Sequence, residues 1–411
     1  MKLNREYQIA ALMGCSAFFT LAGYEFIRPP ADVLFKTAYG ADNLPMVMAV
    51  MPVVVFAGVA VYGRILSLLG PRRTLLVTTL GSGAAIFLCY LTIVAGSRIA
   101  TVVLYLVKEF YIVLLIEQYW SYINSSISQD TAKKVNGPLT GISGLGGALG
   151  GLLAGRMAEP LGAETLLLFA SLLVIPAALM SNFTYRLHGE PVVPARKSEA
   201  DHMGLLLFRE SRILRYLLAI VLATQVLSAV LYLKFQGLLS DEFAGQVDRE
   251  VAFQANFNAM LNFTAVALQF VGAPLLLTYL PLRWVHILMP TIHLTAIIVA
   301  IIEPTVFTVG LAFFLFKAFD YSLFRAAKEI LYIPLSYDMR YRAKEVIDVF
   351  VYRTGKGATS VVIAGLQQLG VAMANYYTTV AFIAAGLWMT LIFPLTKDAQ
   401  QGSESLESKV V

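Results

Sequence analysis

Residues 44–62 read LPMVMAVMPVVVFAGVAVY and contain no charged side chain between Asp42 and Arg64. An α-helix needs roughly 20 apolar residues to cross the ~30 Å hydrocarbon core of a bilayer, so this stretch predicts a membrane-spanning helix. Further stretches of comparable length and hydropathy predict the same structure along the whole chain. The twelve predicted spans are 8–27, 44–66, 74–94, 99–122, 137–158, 164–185, 212–237, 252–279, 284–302, 304–325, 346–370 and 374–395.

The spans are predicted to be helices because backbone amides in lipid must be hydrogen-bonded within a helix or a closed barrel. Barrel strands alternate apolar and polar residues over about ten positions, and these stretches do not alternate. The composition agrees, since 58% of the residues are hydrophobic and 14% are charged, against about 25% charged in soluble domains. The sequence therefore predicts an all-α polytopic membrane protein with twelve transmembrane helices.

The basic residues predict the orientation of the chain. Most of the 31 Lys and Arg residues fall in the tails and in the loops that follow even-numbered spans, whereas the other loops carry mainly acidic residues such as Asp42, Asp248 and Glu250. Cytoplasmic loops are enriched in Lys and Arg. We therefore expect both termini in the cytoplasm and the chain in a bacterial inner membrane.

A long polar stretch divides the spans into two sets of six. We expect an N-terminal half over 1–186, a cytoplasmic linker over 187–211, a C-terminal half over 212–396 and a cytoplasmic tail over 397–411. A weak internal repeat at an offset of 211 positions aligns Lys133 with Lys344 and Gly144 with Gly355. Two six-helix halves related by a parallel repeat are the plan of major facilitator transporters, whose solute site lies between the halves.

Cysteines, histidines and glycines indicate no cofactor. The two cysteines, Cys15 and Cys89, lie in apolar spans, and the four histidines fall in loops or near helix ends without forming a cluster. We therefore expect no metal ion, no other cofactor and no nucleic-acid partner. Gly147, Gly151 and Gly155 in the fifth span form a small-residue ridge, which indicates close helix packing and not a nucleotide loop.

Ionisable residues inside membrane spans mark candidate solute or ion paths, although they also occur as structural pairs. The fourth span supplies Lys108, Glu109 and Glu117, with Tyr119, Trp120 and Asn124 toward its end. A cation beside aromatic rings is suited to a phosphate or carboxylate on a planar solute. The alternative is that Tyr119 and Trp120 belong to an aromatic belt at the membrane interface.

The last third of the chain supplies a second group of charges. Lys317 and Asp320 in the tenth span are three residues apart, which allows them to neutralise each other. Arg353 and Lys356 in the eleventh span are also three residues apart, so two like charges share one helix face. They cannot neutralise each other, which predicts that they bind an anion. Asp348 is placed to offset one of them. Arg28, after the first span, either snorkels to the interface or contacts the solute.

Three parts of the chain share a pattern with a known family. They are 27–32 with 40–45 (IRPPAD, GADNLP), 119–124 with 130–139 (YWSYIN, DTAKKVNGPL), and 329–335 with 342–356 (EILYIPL, RAKEVIDVFVYRTGK). These segments resemble the ATP/ADP translocase family of intracellular bacteria and plastids. The matching charged positions are Arg28, Asp32, Lys133, Asp348, Arg353 and Lys356. The chain departs from the family at Ala31, where the family has lysine, and at Thr131, where it has glutamate.

The sequence predicts a secondary transporter, and not an enzyme, that moves an anionic organic solute across the bilayer as a monomer. The resemblance implies that the solute is a nucleotide, taken up by exchange or with protons. The alternative is import or export of another organic anion, such as a siderophore or metabolite. The expected solute-binding residues are Arg28, Lys108, Tyr119, Trp120, Asn124, Arg353 and Lys356. The expected coupling or gating residues are Asp32, Glu109, Glu117, Lys133, Lys317, Asp320 and Asp348.

Overall fold

The computed structural model describes residues 5–190, 207–333, 335, 339 and 346–410, leaving out the side chains of 129, 133, 349, 350, 353 and 402–410. Within this part of the chain the regular secondary structure is entirely helical. The α-helices are α1 (Arg5–Tyr39), α2 (Leu44–Val94), α3 (Arg98–Ser126), α4 (Gln129–Leu161), α5 (Thr165–His188), α6 (Leu207–Glu210), α7 (Arg212–Glu242), α8 (Val247–Ala267), α9 (Ala273–Tyr279), α10 (Leu282–Ile302), α11 (Val306–Phe319), α12 (Arg325–Tyr332), α13 (Tyr352–Gln368) and α14 (Tyr377–Val410). Three π-helical segments (Leu268–Gly272, Asp320–Phe324, Val346–Val351) and two 3₁₀ turns (Ala41–Asn43, Met373–Asn375) complete the described elements.

Each of the twelve predicted spans lies on helix, which confirms the all-α polytopic fold. The second and third spans both fall in α2, whose 51 residues would be about 75 Å long if straight, more than twice the bilayer core. The helical path breaks at Gly70, whose φ of 73° is a backbone conformation that glycine adopts without strain. The break falls in the predicted loop between these spans.

Nine helical stretches of the described residues are long and apolar enough to cross a membrane. The stretch that contains α2 counts once among them although it holds two predicted spans. The fifth and eleventh predicted spans, in α4 and α13, are not among the nine. Both are rich in glycine and carry charged residues near their starts, so neither reads as uniformly apolar.

The first helix is longer than the sequence analysis predicted. It continues from the expected end at residue 27 to Tyr39, through Pro29 and Pro30. Arg28, which was expected to follow the helix, therefore lies inside it. The charged residues in this extension have oppositely charged partners. These partners offset the cost of burying charge in a mostly apolar helix, which is the physical reason for the extension.

The chain forms two compact units. Unit 1 contains the described residues of Met1–Asn43, Val53–Lys197 and Phe243–Val266, and unit 2 those of Leu44–Pro52, Ser198–Glu242 and Ala267–Val411. Unit 1 thus combines α1, most of α2, α3, α4 and α5 with almost all of α8. The predicted boundaries of the six-helix halves stay a prediction, and residues 191–206 of the predicted linker lie outside the described residues.

Glycines of α4 allow close packing in unit 1. A Cβ built on Gly150 would lie 2.6 Å from the Cα of Ala22 in α1, and one on Gly146 would lie 2.3 Å from the carbonyl oxygen of Phe18. The ridge of Gly147, Gly151 and Gly155 faces α8, where added Cβ atoms would also meet neighbours within 3 Å. The packing interpretation of this ridge is therefore confirmed.

In unit 2, α7 packs against α11, α13 and α14, and α10 packs against α14. The expectation that the histidines lie in loops or near helix ends is wrong for His293, which is 1% exposed in the interior of α10. Its ring lies 5.4 Å from that of Trp388 and 5.5 Å from that of Phe316, between centroids. An imidazole packs here as one more ring of an aromatic cluster.

Candidate functional site

The first helix carries four ionisable residues on one face. Glu25, Arg28, Asp32 and Lys36 are spaced by three or four positions, so at 100° per residue they project in similar directions. Three of them are buried, and the Arg28 side chain is 16% exposed. The sequence analysis predicted roles for Arg28 and Asp32. It missed Glu25 and Lys36, although the spacing of the four residues was visible in the sequence.

Lys108 of α3 forms a buried ion pair with Asp32 of α1. The Lys108 Nζ lies 2.6 Å from Asp32 Oδ1 and 3.2 Å from Glu109 Oε1, and the lysine is 2% exposed. The same ammonium group stands 3.8 Å from the ring centroid of Tyr105. The structure therefore brings together three predicted site residues, Asp32, Lys108 and Glu109, around one positive charge.

A second buried pair in unit 1 joins α1 to α8. Lys36 donates a hydrogen bond to Glu250, and Gln254 Nε2 donates to the same carboxylate at 3.1 Å. The expectation that Glu250 belongs to an acidic outer loop is wrong, because it is 5% exposed in the first turn of α8. The charge of Glu250 can be buried because the ammonium group of Lys36, buried opposite it, compensates that charge.

Glu25 is bound differently from the other buried carboxylates of unit 1. Its Oε1 accepts a hydrogen bond from Asn262 Nδ2 of α8 at 3.0 Å, and Asn258 of α8 interacts with the same carboxyl group. The nearest guanidinium nitrogen of Arg28 is 3.7 Å from Oε1, and Oε2 has no hydrogen-bond partner among the described residues. Arg28 thus contacts Glu25 within its own helix, and the expectation that it snorkels to the interface stays a prediction.

The predicted aromatic residues of α3 lie away from Lys108. Tyr119 and Trp120 contact each other edge to face with centroids 5.1 Å apart. However, the eleven residues from Lys108 to Tyr119 correspond to about 16 Å of helix rise. These rings therefore lie at a different depth from Lys108, because a shared helix face does not imply a shared depth, and their role in binding the solute stays a prediction. Tyr105 is the ring beside Lys108.

The other predicted residues near this end of α3 are exposed. Glu117 and Asn124 are both exposed, and the side chain of Lys133 lies outside the described residues. Thr131, where the related family has glutamate, donates a hydrogen bond to Glu6 of α1. Glu6 also accepts from the hydroxyl of Ser128 at 2.9 Å. A carboxylate is thus present at this corner, although it comes from α1.

Asp320 lies where a π-helical segment begins in unit 2. Its Oδ2 accepts a hydrogen bond from the Tyr352 hydroxyl at 2.8 Å and lies 4.0 Å from Lys317 Nζ. Tyr352 in turn follows directly after the π-helical segment Val346–Val351. Irregular π-turns inside helices occur frequently at functional sites. The predicted pair of Lys317 and Asp320 is therefore part of a wider contact that includes a tyrosine from another helix.

Two further lysines of unit 2 have partners that the sequence did not predict. Lys328 of α12 pairs with Asp348, and the expectation that Asp348 offsets Arg353 or Lys356 stays a prediction. The Lys356 Nζ lies 4.1 Å from the ring centroid of Tyr232 in α7. Arg353 is a residue of the first turn of α13, and its side chain lies outside the described residues.

In both units, then, lysine ammonium groups stand against carboxylates or aromatic rings. In the residues that the structure describes, no group of three His, Cys, Asp or Glu side chains is arranged to hold a metal ion. The lysines beside carboxylates are suited to binding an anion by exchange of partners, in which the solute replaces a carboxylate beside a lysine.

Sequence comparison relates the second part of the chain to known carriers. The family described as TLC ATP/ADP transporter matches residues 257–398, about a third of the chain. The ADP,ATP carrier protein 1 of Chlamydia trachomatis serovar D is 34% identical over 85 residues, which are 20% of this chain and 16% of that protein. These matches confirm the resemblance to the ATP/ADP translocase family, over a small part of that relative's length.

Comparison with solved structures shows the fold over nearly the whole chain. A bacterial homologue of the iron transporter ferroportin in its inward-facing state has a TM-score of 0.65 at 12% identity, with 96% of this chain and 99% of that chain covered. An autoinhibited peptide transporter of the POT family gives 0.65 at 14% identity, covering 96% and 97%. The nucleoside transporter NupG gives 0.58 at 12%, covering 96% and 99%. All three are described as transporters, and the likeness shows that this chain shares their major facilitator-like fold, as the sequence analysis predicted.

Proposed function

We propose that this chain is a secondary transporter that moves an organic anion by alternating access, and that the anion is a nucleotide. The observation that carries the proposal is Lys108, a fully buried cation held at 2.6 Å from Asp32 and 3.2 Å from Glu109. Ionisable residues at such positions in membrane helices mark solute paths by default. The similarity to the ATP/ADP transporter family supports the same conclusion.

The physical argument starts from the cost of burial. A buried ion pair repays its desolvation penalty only in part, so a pair of apolar residues would often be at least as stable. The buried pair of Lys108 with Asp32 and the partly buried pair of Lys328 with Asp348 therefore favour a functional role. In this proposal the carboxylate neutralises the lysine while the site is empty, and the solute anion takes its place when bound.

A nucleotide fits the neighbours of these cations. Lys108 stands against the ring of Tyr105 and Lys356 against the ring of Tyr232. A phosphate needs cationic hydrogen-bond donors, and a base needs a flat apolar surface. Arg28, Lys108, Arg353 and Lys356 are the proposed anion-binding residues, with Tyr119, Trp120 and Asn124 at the end of α3. Asp32, Glu109, Glu117, Lys133, Lys317, Asp320 and Asp348 are the proposed coupling or gating residues.

The chain departs from the related family at Ala31 and Thr131. A second candidate solute is therefore another organic anion, such as a siderophore or a carboxylated metabolite. Thermal unfolding of the purified protein in detergent, measured against ATP, ADP, nucleosides, siderophores and organic acids, separates the two. A ligand at a hundredfold its Kd stabilises the folded state by about 2.7 kcal/mol. We expect ATP or ADP to raise the unfolding temperature in a saturable way. A rise with an organic acid or siderophore and none with nucleotides would favour the second candidate.

A further inference from the structure

Glu25 is a buried carboxyl group whose neighbouring cation, Arg28, lies 3.7 Å away, beyond direct hydrogen-bond distance. It is 3% exposed and lies near the middle of α1. Two other buried carboxylates of unit 1 each accept a direct hydrogen bond from a lysine: Asp32 from Lys108, and Glu250 from Lys36. Glu25 has instead the side-chain amide of Asn262 at 3.0 Å and the guanidinium of Arg28 at 3.7 Å.

The groups that surround Glu25 come from several elements, and α4 approaches this part of α1 with Gly150 beside Ala22. On α1 they are Arg28 and Asp32, and α8 contributes the amides of Asn258 and Asn262. From α3, the hydroxyl of Tyr111 binds the carbonyl oxygen of Thr20, one turn earlier on α1. Lys108 and Glu109 of α3 interact with the adjacent Tyr24. The α5 residues against this part of α1, beside Gly23, are Ala170 and Leu173.

These contacts fit a neutral acid better than a carboxylate. A buried ionised carboxylate gains most from a cation at hydrogen-bond distance, typically 2.7–2.9 Å, and the nearest nitrogen of Arg28 lies farther away, at 3.7 Å. Glu25 Oε1 accepts from an amide, and Oε2 has no partner among the described residues. The protonated form places its hydrogen on one of these oxygens and carries no charge to be compensated, so its burial costs far less.

We propose that Glu25 binds the transported proton and couples it to solute binding by competing for Arg28. The ionised carboxylate holds the Arg28 guanidinium, three residues further along the same helix. When Glu25 takes up a proton from the aqueous side, it retains the amides of α8, and Arg28 turns to the solute anion. Proton and anion then cross together, and release of both restores the ion pair. This inference rests on the proposed function, since it requires an anionic solute.

Infrared spectroscopy tests the proton site without any solute. A pH titration of the purified protein reports the carbonyl stretch of protonated carboxyl groups. We expect the wild type to show a titrating band that Glu25→Gln lacks and that the matched variant Glu159→Gln, at an exposed position of α4, retains. Identical titrations of the wild type and Glu25→Gln would overturn the proposal, whether or not the protein transports nucleotides.

Transport measurements then test the coupling. Liposomes of phosphatidylethanolamine and phosphatidylglycerol are reconstituted with each variant, and the membrane potential is clamped. If one proton accompanies each solute, an inward gradient of one pH unit supports about tenfold accumulation of labelled ATP. We expect Glu25→Gln to lose this accumulation but to exchange labelled for internal ATP at equal pH, and Glu159→Gln to do both.

The two proposals fail in distinguishable ways. Accumulation by Glu25→Gln equal to that of the wild type would overturn the coupling role. Wild-type exchange that a pH gradient does not stimulate would also overturn it and would leave nucleotide transport intact. If the wild type moves no ATP under any condition, the proposed solute is wrong, and the infrared titration still decides whether Glu25 binds a proton.

Discussion

At the residue scale, the buried lysines of unit 1 are stable only because carboxylates stand beside them. Lys108 is 2% exposed, and Asp32 and Glu109 share its charge. Removing one partner of such a pair costs about 3–5 kcal/mol, because it leaves a buried charge uncompensated. In the proposed function, the same proximity lets the solute replace Asp32 without leaving Lys108 unpaired at any step.

A double-mutant cycle measures this coupling. We expect Lys108→Gln to lower the free energy of unfolding by about 3 kcal/mol or more, because Asp32 is then buried without its lysine. Asp32→Asn should cost less, since Glu109 still faces Lys108. The double variant should be more stable than the sum of the two losses predicts. Denaturant unfolding in detergent measures all four proteins, and strictly additive losses would show that the two side chains do not interact.

Only part of this site is readable from the sequence. Asp32, Lys108 and Glu109 stand out because charges are rare in apolar spans. Lys36 was missed because the predicted first span ended at residue 27, where polar residues and two prolines begin. Glu25 lies inside that span, near its end, and was not assigned a role. Partners such as Lys328 for Asp348 depend on contacts between distant segments, which helical periodicity does not encode.

At the element scale, α4 brings two helices close together. Its glycines face α1 on one side and α8 on the other, so α8 stands where Asn262 reaches Glu25 and Glu250 reaches Lys36. The sequence predicted the glycine ridge, since small residues four apart line one helix face. It did not predict the π-helical segments, because hydropathy patterns do not distinguish a single i→i+5 turn from a regular one.

Substitution of one of these glycines tests the packing. A Cβ at Gly150 would lie 2.6 Å from backbone atoms of α1, whereas one at Gly81 of α2 would meet no atom within 4 Å. We expect Gly150→Ala to lower the unfolding temperature, because two helices must move apart. Gly81→Ala should leave it unchanged or raise stability by up to about 1 kcal/mol through helix propensity.

The pair also controls for helix propensity, since both positions lie within helices. Thermal unfolding in detergent gives the comparison directly. Equal unfolding temperatures for the two variants would contradict the close approach of α4 and α1.

At the scale of the whole molecule, the bilayer makes the fold predictable. Lipid permits few backbone arrangements, so apolar runs alone predicted a helix at each of the twelve spans. Division into compact units was less predictable, because α8 belongs with α1, α3, α4 and α5 in unit 1 although it follows the linker in sequence. The identity of the solute depends on a few side chains, of which Ala31 and Thr131 differ from the related family.

The measurement that tests the central claim most directly is exchange of labelled ATP by proteoliposomes. The account predicts saturable uptake that requires internal ATP or ADP and is absent from protein-free liposomes. Lys356→Gln should raise KM roughly ten- to a hundredfold, the loss of one charge-assisted contact, and the exposed control Lys397→Gln should behave as wild type. Uptake of an organic acid with no exchange of ATP or ADP would contradict the assignment of a nucleotide, and uptake of no anion at all would contradict the account as a whole.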